Sequence, residues 1–230
     1  MNIAVVIPSF NEESYISACV TSVLNNSYSD GEFEVFVCDG GSTDKTREIV
    51  EGLMKSDNRL RLIDNPKKVT PVALNLGLKA SDADVKIILG AHSEVASDFI
   101  QANADVLRKF PEAGCVGGVL ENVYENPTAE YIGKAMSSQF GVGNASFRTG
   151  AEDGFVDTVA FGAYRKEVFD KVGWFDEELV RNQDDEFNYR VTSGGFKIYL
   201  SNSIKCKYFV RGSFNKLWKQ YFQYGYWKVY

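Results

Sequence analysis

Three consecutive acids in the last third of the chain have the clearest capacity for chemistry. Asp184, Asp185 and Glu186 follow Gln183 at the predicted start of a helix. The helix macrodipole favours an acid at such a position by ~0.3–1 kcal/mol, which explains one acid better than three in succession. A carboxylate held there can act as a general base and take a proton from a hydroxyl group. The run is therefore a candidate source of a catalytic base.

A second polar run, Asp39-Gly-Gly-Ser-Thr-Asp44, follows an apolar, strand-like segment. It admits two interpretations, a capped turn between a strand and a helix or a ligand site. In a ligand site, the Asp39 carboxylate accepts a hydrogen bond from a ring N–H or a ribose hydroxyl, and the glycines let the ligand approach the backbone. The chain lacks a G-x-G-x-x-G motif after its first strand and lacks a P-loop lysine. The dinucleotide-binding and P-loop classes thereby lose their main support.

Strand and helix signals alternate through the first half of the chain and place these polar runs. Short β-branched runs predict strands, and apolar residues at helical spacing predict the helices between them. Such alternation indicates an α/β fold with a mostly parallel sheet, whose ligands bind beyond the carboxyl ends of the strands. The predicted strands cover residues 3–7, 33–37, 60–63 and 85–89, and polar clusters follow three of them, at 8–12, 39–44 and 90–94.

The alternation weakens beyond Cys115. Residues 141–154 predict a long flexible loop, and such loops often have a function. Regular structure is expected again at 156–161, and helices are expected near 166–172 and 184–193, the second of which ends at a Gly-Gly pair.

Composition limits the class of protein. The 230 residues, 44% of them hydrophobic, suffice for one large domain or two small ones. The net charge of −6 argues against broad nucleic-acid binding. However, eight Lys and Arg residues and no acid follow Glu186, which predicts an anionic partner for that end. The four scattered cysteines favour a reducing cytosol. Neither a signal peptide nor an 18-residue apolar window is present.

Several motifs in a fixed order resemble one family, the family 2 glycosyltransferases with their GT-A fold. The sequences of the acidic motif that begins at Gln183 and of the C-terminal tail most resemble one branch of the family. That branch includes the succinoglycan-biosynthesis glycosyltransferases of bacterial exopolysaccharide pathways. The motifs are Val6-Ile-Pro-Ser-Phe-Asn-Glu12, Val37-Cys-Asp-Gly-Gly-Ser-Thr-Asp44, Gly162-Ala-Tyr-Arg165, Val172-Gly-Trp-Phe-Asp-Glu177 and Gln183-Asp-Asp-Glu-Phe-Asn-Tyr-Arg190, with Gln220-Tyr-Phe-Gln-Tyr-Gly-Tyr-Trp227 in the tail.

This resemblance implies a GT-A, Rossmann-like sheet with helices on both faces, a nucleotide-diphosphate-sugar donor and a divalent cation, Mn²⁺ or Mg²⁺. UDP is the expected nucleotide. Many members of the family carry two adjacent acids after the second strand, whereas this chain has Asp39-Gly40, so one contact to the base is missing. The residues implied to bind the nucleotide sugar are Pro8, Ser9, Asn11, Glu12, Asp39, Ala91 and Arg190.

The largest departure from the family lies after the fourth predicted strand, where a D-x-D-type motif normally holds the metal. Here the chain reads Gly90-Ala91-His92. His92, the one histidine of the chain, occupies the position of the second acid and is the expected metal ligand, and Glu94 offers a further oxygen. The alternative is that His92 is only a loop residue. We expect a metal site with fewer protein ligands, completed by diphosphate and water, and a weakened cation dependence.

Alignment with the family's acidic motif selects Asp184 as the catalytic base, with Asp185 as the close alternative. The implied reaction is a single displacement that inverts the anomeric configuration. A cation or a basic residue must absorb the charge of the leaving group. Arg190 is the expected residue, and Lys67 and Lys68 are alternatives that are equally typical of a solvated surface.

The tail, residues 206–230, combines basic and aromatic residues and predicts an amphipathic helix. The helix either packs on the core or lies in a membrane interface, where Trp, Tyr and Lys are favoured. We expect residues 1–205 to form the GT-A domain, with a nucleotide-binding half at 1–110 and an acceptor half at 111–205. The chain is expected to be truncated before membrane helices.

The function that these features predict is an inverting transfer of a sugar to a hydroxyl of a glycan or lipid-linked acceptor in polysaccharide biosynthesis. The expected location is the cytoplasm, at the inner face of the cell membrane. Two alternatives remain open, a degenerate sugar-nucleotide binding module and a sugar-phosphate nucleotidylyltransferase.

Overall fold

A computed structural model describes residues 1–137, 147, 152–210 and 212–227. Most of the loop predicted at 141–154 lies outside this range. The strands are β1 (Ile3–Ser9), β2 (Phe33–Asp39), β3 (Leu60–Asp64), β4 (Val85–Ile88), β5 (Ser93–Val95), β6 (Ala113–Val123), β7 (Gly154–Val156), β8 (Ala160–Arg165) and β9 (Lys197–Phe209). The helices are α1 (Ile16–Leu24), α2 (Thr46–Met54), α3 (Thr70–Lys79), α4 (Phe99–Lys109), α5 (Pro127–Met136), α6 (Lys166–Val172), α7 (Gln183–Ser193) and α8 (Phe214–Trp227).

The strands of the described residues form a nine-stranded sheet in the order β3-β2-β1-β4-β8-β6-β9-β5, with β7 paired to β9. The first four strands of that order are parallel, as their apolar runs predict. Their carboxyl ends therefore meet at one edge of the sheet. Ser9 pairs in register with Asp39, and Asp39 with Asp64.

The second half of the sheet is mixed, which is why the strand–helix alternation weakens after Cys115. Strand β8 runs antiparallel to both β4 and β6, whereas β6 and β9 are parallel to each other. Their register shifts at Gly118, where a Cβ atom would stand 1.9 Å from the carbonyl oxygen of Ile204. Only glycine fits so close an approach of two backbones. Strand β9 also continues through residue 205, where the boundary of the catalytic domain was expected.

Helices cover both faces of the sheet, as predicted. Alternate residues of β1 enter different clusters: Val5 packs in the one that includes residues of α1, α2 and α4, and Val6 in the one that includes residues of α3, α6 and α7. Because helices cover both faces of the sheet, these strands are apolar on both faces.

Aromatic packing fixes α7, the helix that carries the acids. Phe187 is fully buried, and its ring stacks on Phe175 at a centroid distance of 4.2 Å and on Phe169 at 5.3 Å. Tyr164 meets it edge-on at 5.3 Å. These rings hold the first turn of α7 at a defined place against the sheet.

Helix α8 lies against a small separate cluster through Leu217. The cluster consists of Ala129, Ile132, Met136 and Val210. Rings four residues apart, Phe214, Trp218 and Phe222, are 63%, 73% and 66% exposed and form one stripe along the helix. The helix thus both packs on the protein and presents aromatic side chains to its surroundings.

The packing of Phe187 gives a first prediction. The Phe187→Ala variant should lose about 3–5 kcal/mol of unfolding free energy, the usual cost of deleting a buried ring. Tyr189→Ala, two residues further along the same helix and 72% exposed, is the control and should change little. Urea denaturation followed by circular dichroism measures both, and equal midpoints for the two variants would contradict the assignment.

Candidate active site

A cavity of about 630 Å³ opens beyond the carboxyl ends of the parallel strands. Its walls come from the β1–α1 loop, the segments after β3 and β4, strand β8, the start of α7 and helix α8. Of the residues expected at the site, the cavity is lined by Pro8, Ser9, Glu12, Ala91, His92, Asp184 and Asp185. Asn11, Asp39 and Arg190 do not line it.

Asn11 joins two loops behind the cavity wall. Its amide N–H donates to Ser42 Oγ at 2.8 Å, and its side-chain oxygen accepts from the Thr43 N–H at 2.8 Å. The neighbouring Glu12 N–H donates to Thr46 Oγ1 at 2.8 Å. The β1–α1 and β2–α2 loops are therefore held as one unit.

The Asp39 carboxylate is buried at the centre of that unit. Its Oδ2 accepts from the backbone N–H groups of Gly41 and Ser42, at 3.0 and 2.9 Å, and from Arg47 at 3.2 Å. Oδ1 accepts from Ser9 and from the Ser42 hydroxyl. A carboxylate offers about four lone-pair sites, so these five bonds occupy Asp39 fully. Sequence reasoning expected Asp39 to contact the nucleoside, but the structure gives it protein partners and places Gly40 at the cavity instead.

Burial raises the pKa of Asp39, but the hydrogen bonds from Ser42, Arg47 and Gly41 outweigh it and hold the pKa below its ordinary value. The ionised form is therefore the one that the loops require.

His92 stands where the family's second metal-binding acid is expected. Its Nδ1 lies 3.5 Å from Glu12 Oε1, and Tyr208 packs edge-on at 5.2 Å. In the described ranges no three His, Cys, Asp or Glu residues come together as a metal site. An imidazole and one carboxylate are nevertheless two adjacent donors of the kind that bind a divalent cation together with substrate oxygens. Glu94 does not line the cavity, whereas Glu12 does and is the carboxylate next to His92.

Gly90 stands where the first acid of the motif is expected. A Cβ atom at this position would lie 3.0 Å from Cε1 of Phe161, whose ring lines the same cavity. Phe161 itself has a left-handed backbone with φ 52°. A larger side chain at position 90 would therefore require the Phe161 ring to shift.

Left-handed backbone conformations concentrate around the cavity. Besides Phe161, they occur at Asn11, Lys68 and Asn182, with φ of 55°, 58° and 59°. Lys68 lines the cavity, and the other two adjoin lining residues in sequence. Strained conformations of non-glycine residues are typical of functional sites. The residue types at these four positions do not predict a left-handed backbone, so the sequence alone does not reveal them.

The acids of α7 separate into two roles. Asp184 and Asp185 are exposed in the first turn and line the cavity. Glu186 pairs with Arg190, whose Nη2 lies 2.8 Å from Oε2. The third acid of the run, Glu186, is therefore explained by an ion pair between residues four apart on the helix.

Arg190 does not reach the cavity, contrary to expectation. Besides Glu186, its guanidinium donates to the carbonyl oxygens of Val172 at 2.7 Å and Trp174 at 3.0 Å. It thereby ties the loop after α6 to α7. Lys67 is likewise paired, with Glu177 at 2.8 Å. Among the described residues, the lysines and arginines that line the cavity are Lys68, Arg181 and Lys219. Sequence reasoning missed the last two, although Arg181 precedes the acidic motif by two residues.

The chain also matches known proteins. Residues 4–173 match the model of "Glycosyl transferase family 2". The chain belongs to glycosyltransferase family 2. Among curated relatives, a dolichyl N-acetyl-alpha-D-glucosaminyl phosphate 3-beta-D-2,3-diacetamido-2,3-dideoxy-beta-D-glucuronosyltransferase of Methanococcus voltae is 34% identical, over 97% of this chain and 71% of its own length. The succinoglycan biosynthesis protein ExoA of Rhizobium meliloti is 31% identical, over 96% and 67%.

Solved structures show the same fold. TarS of S. aureus in complex with UDP-GlcNAc has a TM-score of 0.73 at 19% identity, over 93% of this chain and 60% of that one. The mannosyltransferase PcManGT of Pyrobaculum calidifontis, with GDP-Man and Mn²⁺, has a TM-score of 0.69 at 18% identity, over 89% and 56%. The chain thus spans about three fifths of these solved proteins. The predicted family, the GT-A fold and the glycosyltransferase class are confirmed.

The bonding of Asp39 gives a prediction on pH. Because its folded pKa is lowered, its stabilising contribution is present above the unfolded value of about 3.9 and is lost as the pH falls through the folded value. The free energy of unfolding of Asp39→Asn should therefore lie below that of the wild type at pH 7, and the difference should shrink toward pH 3.

Unfolding in urea between pH 7 and pH 3 measures this difference. The matched control is Asp64→Asn, which removes the other, largely exposed partner of Arg47. A difference between wild type and Asp39→Asn that stays constant over the whole range would contradict the prediction.

Proposed function

We propose that the protein transfers a sugar from a UDP-sugar, with inversion, to a hydroxyl group of a lipid-linked glycan. The observation that carries this proposal is that Asp184 and Asp185 line the same cavity as Pro8 and Ser9. The candidate base on α7 and the loops expected to bind the nucleotide therefore line the same cavity. About 630 Å³ is within the usual size of a ligand site.

The proposed reaction is one displacement. Asp184 accepts the proton of the acceptor hydroxyl as that oxygen forms a bond to the anomeric carbon. The bond from the anomeric carbon to the diphosphate oxygen breaks at the same time, and the nucleoside diphosphate leaves with the electron pair. Attack from the face opposite the leaving group inverts the anomeric configuration. Asp185 is the alternative base, because it lines the same cavity one residue away.

A lysine and a divalent metal ion can stabilise the leaving diphosphate. The first is Lys68, which lines the cavity. Its side chain lies next to Gly41 of the β2–α2 loop, since a Cβ atom built on Gly41 would be 3.5 Å from Lys68 Cε. His92 and Glu12 would hold a divalent cation, which would supply positive charge to the diphosphate oxygens. With two protein donors rather than a full acidic motif, the requirement for the cation should be weak.

This cation proposal predicts a graded response. Donor hydrolysis by the wild type should persist at reduced rate in EDTA and rise with Mn²⁺. In His92→Ala the rise should need about tenfold more Mn²⁺. The control Glu94→Gln should follow the wild-type curve, and identical curves for His92→Ala and the wild type would rule out His92 as a ligand.

The choice of substrates follows from the family members. TarS was crystallised with UDP and with UDP-GlcNAc, and the Methanococcus voltae relative is named for a dolichyl phosphate-linked sugar. We therefore propose UDP as the nucleotide and a lipid-linked sugar phosphate as the acceptor. The basic residues after Glu186 suit an anionic acceptor. The same residues suit a membrane surface, at the cytoplasmic face.

Removing the base is the central test. Asp184→Asn should lower the rate of transfer by about 10²–10⁴-fold, the usual contribution of general base catalysis, because the amide cannot accept the proton. The measurement is nucleotide release from a panel of UDP-, GDP- and dTDP-sugars with a lipid-linked acceptor.

Asp185→Asn tests the alternative base in the same assay, and the exposed Glu167→Gln on α6 is a control that should keep the wild-type rate. Full transfer by both aspartate variants would refute the mechanism. A wild type that binds a nucleotide sugar without turnover would instead support the degenerate binding module.

We also propose that α8 docks on a membrane surface through its aromatic stripe, Phe214, Trp218 and Phe222. No helix in the described part of the chain is long and apolar enough to span a membrane. Exposed aromatic rings next to Lys residues are instead typical of an interfacial helix.

Liposome flotation tests this docking. The wild type should float with vesicles that contain anionic lipid, and Trp218→Ala/Phe222→Ala should float less, because the two rings supply the apolar contact. Tyr189→Ala, which removes an equally exposed ring from α7, is the matched control. A wild type that stays in the bottom fraction with every lipid would end the proposal.

A further inference from the structure

Two basic residues flank the acids inside the cavity, and the proposed chemistry has not used them. Arg181 lies in the segment just before α7, and Lys219 lies on α8. Both line the cavity together with Asp184 and Asp185. Arg181 thus lies next to the helix with the acids, and Lys219 lies on the helix with the aromatic stripe. Pro8 and Ser9, the residues expected to bind the nucleotide sugar, lie instead at the strand ends.

Neither residue is neutralised by an acid within the described ranges. No carboxylate lies within 4.0 Å of the Arg181 guanidinium or the Lys219 ammonium there, whereas Lys67 pairs with Glu177 and Arg190 with Glu186. Lys67 and Arg190, which do not line the cavity, are thus engaged in ion pairs within the protein. Arg181 and Lys219, which do line it, keep their charge for another anion.

The structure also orients Arg181. Its Nε donates to Oε1 of Gln223 at 2.8 Å. Gln223 lines the cavity and lies one helical turn beyond Lys219, so the two share a face of α8. Held through Nε, the guanidinium keeps Nη1 and Nη2 as donors, and nothing in the described part of the protein accepts from them. A fixed guanidinium beside an ammonium is a combination suited to phosphate oxygens.

We infer that Arg181 and Lys219 form a phosphate-binding subsite for the acceptor, a lipid-linked sugar phosphate, with Gln223 as the residue that positions Arg181. This inference rests on the proposed function. Helix α8 has its aromatic stripe at residues 214, 218 and 222 and its cavity-lining residues at 219 and 223, on the neighbouring stripe. A lipid whose chain lies along the aromatic rings therefore brings its phosphate to Lys219. The sugar attached to that phosphate then extends toward Asp184.

The donor diphosphate is the other source of phosphate, and two titrations separate the sources. Farnesyl phosphate represents the acceptor and UDP the donor, and farnesol shows the contribution of the chain without the phosphate. Each is titrated calorimetrically into the wild type, Arg181→Gln, Lys219→Gln and the double variant. Arg61→Gln, which removes an exposed, paired arginine on β3, is the control for general loss of positive charge.

Each single variant should bind farnesyl phosphate about tenfold more weakly, the loss expected for one charge-assisted hydrogen bond. Farnesol and UDP should bind all variants as they bind the wild type. Gln223→Ala should weaken farnesyl phosphate binding less than Arg181→Gln, because the guanidinium is freed but still present.

Three results would overturn the subsite. UDP binding that falls as much as farnesyl phosphate binding would assign the pair to the donor. Unchanged farnesyl phosphate binding would mean that the pair binds no phosphate, and an equal loss in Arg61→Gln would mean that only total charge matters. Failure of the proposed function itself is distinct, since the wild type would then neither bind UDP nor hydrolyse any nucleotide sugar.

Discussion

The packing of Phe187 between Phe169 and Phe175 is the contact on which the site depends. The cavity has two walls, one from loops at the strand ends and one from the first turn of α7, and the chain separates them by more than a hundred residues. The buried rings fix the second wall against the sheet that carries the first. Arg190, whose guanidinium lies over the Phe187 ring at 5.0 Å, strengthens the same contact by donating to the carbonyl oxygens of Val172 and Trp174. The charged residues of the motif thus divide into Asp184 and Asp185, which line the cavity, and Arg190, which holds the helix.

Periodicity determines most of the fold, because buried parallel strands and amphipathic helices leave strong local patterns. The helices predicted at 166–172 and 184–193 agree with α6 and α7 within a residue. The long strands β6 and β9 escaped prediction, since their pairing joins distant segments and depends on a close approach at Gly118. Such an approach has no local signal.

The site was predictable by residue type but not by partner. Glu12, His92 and Asp184 line one cavity, as the motifs imply. Asp39 and Arg190 do not, because Asp39 accepts hydrogen bonds from its own loop and from Ser9 and Arg47, and Arg190 donates to the carbonyl oxygens of Val172 and Trp174. Conversely, Arg181 and Lys219 look like ordinary surface cations in the sequence. Lys219 reaches the cavity because α8 packs through Leu217 on the cluster of Ala129, Ile132, Met136 and Val210, and Arg181 is held by Gln223 of the same helix. Both are tertiary contacts.

The contact between Gly90 and Phe161 constrains how this chain can change over evolutionary time. An acid gained at position 90 would meet the Phe161 ring, which would have to shift by a few tenths of an ångström. The cost of a substitution at position 90 therefore depends on the residue at position 161. The two positions are expected to be epistatic, so that the shortened metal motif is regained most easily when both change.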